Sequence, residues 1–336
     1  MTRRIAVVLG GRSSEHDVSL ASARSVIDAL ETSGNDVVTV AIDRQGSWQL
    51  DSVSKVSGQK AIEAESRLPG KEVATTLADV DVVFPVLHGP FGEDGTVQGL
   101  LELAGVPYVG AGVLASALCM DKDVFKSVMR DHDIPVTPNI TLRAGDEPRN
   151  PYGYPCFIKP ARLGSSVGIT KAHDDDELRS GVALAFEHDE KVLVEQLVDG
   201  IEVEIGVLGN RTPTASLPGE IVVTHNEWYD YEAKYDEGEM DLVVPARITP
   251  EQIERAQTLA VEAFVATDCE GMARADMFVR NDGEVLVNEL NTIPGFTSTS
   301  VYARLFEASG VPYAELLQRL ADLAVERFER RGNLKY

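Results

Sequence analysis

The chain has 336 residues and a formal charge of −23, with 31 Lys and Arg against 54 Asp and Glu. That balance excludes a sequence-independent grip on a nucleic-acid backbone, which rests on clustered cations. Its 43% hydrophobic and 25% charged residues suit a soluble globular enzyme of about two or more domains, and no apolar run approaches the ~18 residues of a membrane span.

The first third alternates strand and helix. Arg4–Leu9 reads as an apolar strand, since the run after the basic start is too short for a secretory leader and ends in Gly10-Gly11. A turn follows to Glu15. Val18, Ala21, Val26, Ala29 and Leu30 then mark one helical face. Strands are expected at Asp36–Ile42, Asp81–Leu87 and Val106–Val109, with a helix at Thr96–Ala104 and a polar surface excursion over 51–75. Repeated strand–helix–strand units imply a mostly parallel, Rossmann-like sheet.

After about Asp121 the strands cluster: Pro155–Pro160, Val167–Lys171, Lys191–Val198, Ile201–Leu208, Leu217–Val223 and Leu242–Ala246. In 201–208, Ile and Val point inward and Glu202 and Glu204 outward, as in an antiparallel strand with one buried face. Helices are expected at 174–187 and 250–268. The second has Thr249 as N-cap, Pro250 at its first position and Gln252 at its third. Two more end the chain, near 299–309 and 312–331. The pattern is α/β followed by α+β, in three lobes. Cys119, Cys156 and Cys269 form no CxxC pair and cannot all be bonded within one chain, which suits a reducing cytoplasm.

The most informative local geometry is a hairpin. Met272–Arg280 and Glu284–Asn291 flank Asn281-Asp282-Gly283, and Asp-Gly favours a two-residue turn. That register sets Asp276 opposite Glu289 and Arg274 opposite Asn291, on one face. Ala275, Met277, Val279, Leu286 and Leu290 fall on the other. Two opposed carboxylates repel unless a cation lies between them, and Asp, Glu and Asn oxygens suit Mg²⁺ shared with phosphate. The alternative is a solvated face with an Arg–Asp ion pair.

Other segments carry two readings each. The loop from Ala161 to Gly168 joins two apolar strands. It either aims backbone N–H groups at an anion or is an ordinary hairpin turn. It is neither a GxxxxGK[ST] loop nor a GxGxxG helix opening. Lys159, at the end of a buried-looking strand, needs an anionic partner. Lys122 is a second cation candidate. Glu195 to Val198, with Glu202, could hold an adenine and a ribose, or form a solvated edge. His88 sits at the carboxyl end of a strand, where open α/β sheets bind ligands, or is a structural histidine. The histidines show no zinc-ligand spacing. Glu227–Asp241, polar and aromatic, is a lid or a surface loop.

Together these pieces resemble the D-alanine–D-alanine ligases of the ATP-grasp superfamily. The resemblance runs through nearly the whole chain, in order: Gly10 to Ser19, His88-Gly89 with Gly92-Glu93-Asp94-Gly95, and Asp121-Lys122. It continues with Lys159-Pro160, Gly164 to Gly168, Tyr229–Tyr235, Arg274-Ala275-Asp276, Asn288 to Thr292 and Pro294 to Ser300.

The resemblance implies an N-terminal Rossmann-like substrate domain over 1–121, an ATP-grasp central subdomain over 122–213, and a C-terminal subdomain over 214–336 with lid and metal site. It implies an ADP-forming ligase that joins two D-alanines through a D-alanyl phosphate, for peptidoglycan precursors in the cytoplasm. ATP would meet Lys122, Lys159, Ser166, Glu195, Val198, Glu202 and Lys234. Asp276, Glu289 and Asn291 would hold two Mg²⁺ ions, with Mn²⁺ as a substitute. Glu15 would take the first ammonium with His88 nearby, and Ser300 with Val301 the second substrate. Arg274 and the Gly295 N–H would stabilise the oxyanion, and Tyr235 would link to Ser165 and Glu15 in the closed site. A homodimer is implied, with no nucleic-acid or membrane partner. The departures are Ala303 for Pro, Val301 for Leu or Met, and Leu163 for an acidic residue; none removes a catalytic group. The rivals are a same-fold ligase making D-alanyl-D-lactate or D-alanyl-D-serine, and a non-catalytic nucleotide binder. The intact Glu232–Tyr235 run argues against D-lactate, and the full Arg274, Asp276, Glu289 and Asn291 set argues against a mere binder.

Overall fold

A computed structural model of the protein describes residues 2–50, 69–223 and 240–335. The first sheet holds β1 (Arg4–Gly10), β2 (Asp36–Ile42), β3 (Trp48–Leu50) and β4 (Val82–Val86), in the order β3-β2-β1-β4. β1 pairs in parallel with β2 and β4, and α1 (His16–Thr32) makes the crossover. The expected strand at Val106–Val109 is reduced to a single bridge, Tyr108 beside Val83. Of the polar excursion, residues 71–78 form a helix, α2 (Lys71–Ala78), which buries Val73 and Leu77; residues 51–68 lie outside the described chain. One face of the sheet packs on α2 and α3 (Thr96–Ala104). The other packs on α1 and on α9 (Tyr313–Gly332), whose Leu316, Leu317 and Leu320 share a core with Ile5, Val7 and Leu9.

Two helices that the apolar pattern had not suggested follow, α4 (Val113–Met120) and α5 (Lys122–Asp131). Asp121 caps α5 by accepting from the Val124 N–H at 3.2 Å. The second sheet is antiparallel, in the order β5-β8-β6-β7, from β5 (Asn139–Arg143), β6 (Cys156–Pro160), β7 (Thr170–Ala172) and β8 (Lys191–Gln196). Its Cys156, Ile158, Val192 and Val194 pack on α6 (Asp175–Phe186). Alternation therefore turns Phe157, Lys159 and Glu195 to the opposite face.

The third sheet runs β12-β11-β9-β13-β14, with β10 (Thr214–Ala215) beside β9. Its strands are β9 (Gly200–Gly209), β11 (Gly219–Val223), β12 (Met240–Val243), β13 (Gly271–Arg280) and β14 (Val285–Asn291). Val203, Ile205, Ala275 and Met277 pack on Leu259, Ala260 and Phe264 of α7 (Pro250–Ala266). That helix opens on the expected capping box: Thr249 accepts from the Gln252 N–H at 3.3 Å and Gln252 returns the bond at 2.8 Å. α8 (Val301–Ala308) precedes α9.

The hairpin keeps its polar pairing by a route other than the expected one. The turn has three residues, because the Arg280 N–H donates to the Glu284 carbonyl at 2.8 Å and Gly283, at φ 93°, closes it. A β-bulge between Asp276 and Met277 then restores the register, so Arg274 faces Asn291 and Asp276 faces Glu289. The two shifts cancel at the polar end only. Near the turn, Val285 and Val287 take the core face and Leu286 lies opposite Phe278, so Leu286 leaves the predicted apolar face.

Candidate active site

The polar faces of the second and third sheets close on a cavity of about 370 Å³. Lys159 and Glu195 line it from β6 and β8, and Glu202, Asp276 and Glu289 from β9, β13 and β14. Ser165 and Ser166 line it from the loop before β7, Lys122 from α5, and Val198 from the connection between β8 and β9. Glu202 and Glu204 thus do not point to open solvent as expected: the first lines the cavity and the second is buried.

α5 holds its two buried lysines one turn apart, on the same face as Phe125 and Met129. Lys122 reaches Glu289 at 3.1 Å and donates to the Leu163 carbonyl at 2.8 Å. Lys126, fully buried, reaches Glu195 at 2.9 Å, and Lys159 reaches the other oxygen of Glu195 at 2.6 Å. Burial works to raise the Glu195 carboxyl, but Lys126 and Lys159 overcome it and hold the group at about 2. Burial brings the Lys126 ammonium down to about 8 in spite of Glu195. It works the same way on Lys159, where Glu195 prevails and the ammonium titrates above the ordinary lysine value.

On the hairpin, Arg274 donates twice to Asp276, at 2.7 Å each, and pairs with Glu204 at 2.9 Å. Asn291 donates to Asp276 at 2.8 Å. Asp276, Glu289 and the Asn291 amide thus offer oxygens from neighbouring strands to a hard divalent ion. Each carboxylate already faces a cation, Arg274 for Asp276 and Lys122 for Glu289. Among the described residues no three His, Cys, Asp or Glu side chains form a metal group by themselves. The donor set fits a metal that takes its remaining ligands from phosphate.

The loop before β7 reaches toward the first sheet. Ser165 and Ser166 have left-handed backbones, at φ 49° and 58°. This strained turn sends the Ser165 hydroxyl to Glu15, to which it donates. Glu15 stands at the N-cap of α1, where a carboxylate is favoured by the helix dipole. Its side chain makes no cap hydrogen bond. A Cβ on Gly89 would lie 2.5 Å from Glu15 Oε2, and one on Gly164 3.3 Å from it, so two glycines make room for the carboxylate. His88 is buried. Its Nδ1 donates to the Ile293 carbonyl at 3.0 Å, and its Nε2 lies 3.4 Å from the Ser22 hydroxyl. Burial lowers its pKa despite Glu15, so the neutral ring with hydrogen on Nδ1 fits both partners. Ser300 accepts from the Thr297 N–H at 3.0 Å, and a Cβ on Gly295 would lie 3.3 Å from its oxygen. Val301 opens α8 and is half-buried.

Three residues now join those expected from sequence. Lys126 stands behind Glu195. Asn288, the residue the bulge adds, accepts from Lys159 at 3.5 Å. Glu93 accepts from the Gly89 N–H at 2.7 Å and the Ile293 N–H at 3.0 Å, tying the first sheet's loop to the loop after β14. Burial, helped by the Glu15 charge, pushes its carboxyl up to about 8. The spacing of Lys122 and Lys126 was a usable signal for the first of these. Lys234 and Tyr235 lie outside the described residues.

Comparison with known proteins finds the two halves of one family along most of the chain. The family described as D-ala D-ala ligase N-terminus matches residues 4–111, and the one described as D-ala D-ala ligase C-terminus matches 128–322. The chain is 42% identical to D-alanine–D-alanine ligase A of Escherichia coli strain K12, over 99% of this chain and 98% of that protein. Among solved structures, the VanG D-Ala:D-Ser ligase of Enterococcus faecalis is 36% identical with a TM-score of 0.82, covering 96% of this chain and all of that one. The D-alanine–D-alanine ligase of Bacillus anthracis complexed with ATP is 27% identical with a TM-score of 0.78, covering 98% of this chain and all of that one.

Proposed function

The chain belongs to the D-alanine–D-alanine ligase family, and on that premise we propose how its residues divide the work. It has the family's ATP-grasp fold and uses ATP to join two D-alanines into D-alanyl-D-alanine. The γ-phosphoryl group passes to the carboxylate of the first D-alanine, giving D-alanyl phosphate and ADP. The amine of the second attacks that carbonyl carbon, loses a proton, and expels phosphate.

Catalysis of phosphoryl transfer is mostly positioning and charge neutralisation. In our reading, Lys122 and Lys159 hold the phosphates with Ser166 and Lys234. Glu195 and Val198 border the adenine, and Glu202 holds the ribose. Glu15 receives the first substrate's ammonium, held in place by Ser165, with His88 beside it as a neutral wall. Arg274 and the Gly295 N–H stabilise the oxyanion. Ser300 anchors the second carboxylate beside Val301, and Tyr235 closes over the site to exclude water. Two Mg²⁺ ions, replaceable by Mn²⁺, would be held by Asp276, Glu289 and Asn291 and would neutralise charge on the phosphates. The working units are 1–121, 122–213 and 214–336. The setting we propose is the cytoplasm, as a homodimer feeding peptidoglycan synthesis.

The observation that carries this reading is the meeting of Lys122, Lys159, Ser165, Glu195, Glu202, Asp276 and Glu289 on one cavity. The test is phosphate release from ATP and Mg²⁺ with D-alanine, D-serine or D-lactate, with the product identified by mass. D-alanyl-D-alanine as the main product is expected; a D-serine or D-lactate product in excess would reassign the second subsite.

A further inference from the structure

Glu195 is clasped by two ammonium groups where one would balance its charge. Lys159, at 2.6 Å, faces the cavity. Lys126, at 2.9 Å on the other oxygen, is fully buried behind it. An ammonium deep in the protein is costly unless it is paired, and nothing in simple neutrality asks for a second one here.

We propose that Lys126 is a positioning residue for the nucleotide phosphates: it shares the charge of Glu195, so that Lys159 keeps positive charge for the ligand. The proposal rests on the nucleotide reading of the cavity. The three side chains together carry one net positive charge, and Lys159 is the cation among them that lines the cavity, beside Glu195. Without Lys126, the Glu195–Lys159 pair is neutral and the pull on a phosphate falls. Besides Glu195 on β8 and Lys159 on β6, Lys126 feels the charge of Glu289 on β14. Glu289 is itself paired with Lys122, one turn earlier on α5. The helix thus sends one lysine to each sheet. Lys122 meets the ligand cavity, while Lys126 acts through another side chain.

The experiment measures ADP and adenosine dissociation constants by calorimetry in the parent and in Lys126→Met, Lys126→Gln and Lys126→Arg. Met removes the charge and the polar end, Gln removes the charge and keeps a polar end, and Arg keeps the charge. ADP binding is expected to weaken about tenfold in the Met and Gln variants, the scale of one partly screened charge pair. Adenosine binding should weaken by less than ADP binding, because only ADP brings phosphates to Lys159, and the Arg variant should bind ADP like the parent. Should Lys126→Met not fold, the Gln and Arg variants carry the comparison. Parent-like ADP affinity in Lys126→Gln would overturn the proposal, and so would equal losses for adenosine and ADP. A parent protein that fails to bind ADP at all would instead overturn the nucleotide reading of the cavity.

Discussion

Ser165 donates its hydroxyl to the carboxylate of Glu15 across 150 positions of sequence. The bond ties the loop between β6 and β7 to the N-terminal end of α1. Ser165→Ala takes this hydrogen bond from the carboxylate that we propose meets the first substrate's ammonium. A hydrogen bond to a charged group is worth about 1.5–3 kcal/mol, so the KM for the first D-alanine should rise about tenfold or more. The KM for ATP should move little. Glu15→Gln should show the same split in initial-rate kinetics. D-alanine kinetics like the parent's in both variants would remove Glu15 from the site.

Gly89→Ala tests the same carboxylate from the other side. The position has φ 71°, and an added Cβ would lie 2.5 Å from Glu15 Oε2. Strain of this kind costs about 1–3 kcal/mol. Lower thermal stability is therefore expected together with a raised D-alanine KM. A variant that loses stability and keeps its D-alanine KM would show that Glu15 can yield without cost to binding.

Glu289→Gln removes a charge from the face of β14 that lines the cavity, not from the core. Its partner Lys122 stays anchored to the Leu163 carbonyl. The pair is largely buried, so unfolding should shift by roughly 1–3 kcal/mol, limited because Lys122 keeps its bond to the Leu163 carbonyl. Turnover should fall sharply and need far more Mg²⁺ for half-maximal rate. Near-parental activity at low Mg²⁺ would refute the metal assignment.

Glu195→Gln should cost stability, because it takes the directly paired carboxylate from the buried Lys126 and the half-buried Lys159; losses of this kind run to about 3–5 kcal/mol. The acid limb gives the sign. The folded-state carboxyl is held at about 2, below its ordinary 4.5, so the stabilisation is complete above 4.5 and is lost as pH falls toward 2. In Glu195→Gln that limb should flatten, and adding Lys126→Met should recover part of the loss near neutrality. Urea unfolding between pH 2 and pH 7 reads both; an acid limb identical to the parent's would show that the pair adds nothing.

Alternation and turn chemistry made much of this site legible. The period of two in β9, β13 and β14 sorted the carboxylates from the core. The polar pairing at Asp276 was anticipated because a longer turn and a bulge offset each other. Leu286 shows the limit, since it lies between those two irregularities and fell on the wrong face. α5 was missed because its buried stripe contains Lys122 and Lys126 beside Phe125 and Met129, which blurs apolar periodicity. β5 was missed for a related reason. It is an edge strand that buries Leu142, and its other side chains are partly or fully exposed. The expected lid over Tyr229–Tyr235 lies outside the described residues.

The docking of α9 bears on the order of synthesis. Arg327 donates to the carbonyls of Gly110 and Tyr108, the latter at 2.7 Å, and lies 4.3 Å over the Tyr108 ring. Leu316, Leu317 and Leu320 of the same helix cover α1 and the face of β1. A ribosome delivers the chain N-terminal part first. The oldest sheet therefore waits with one apolar face covered only in part, by α1, while everything up to α9 is made. α1, which carries Glu15 at its start, gains its final neighbour only then. The end of the site that carries Glu15, encoded first, is completed last, and stalled or shortened nascent chains should present this face to chaperones.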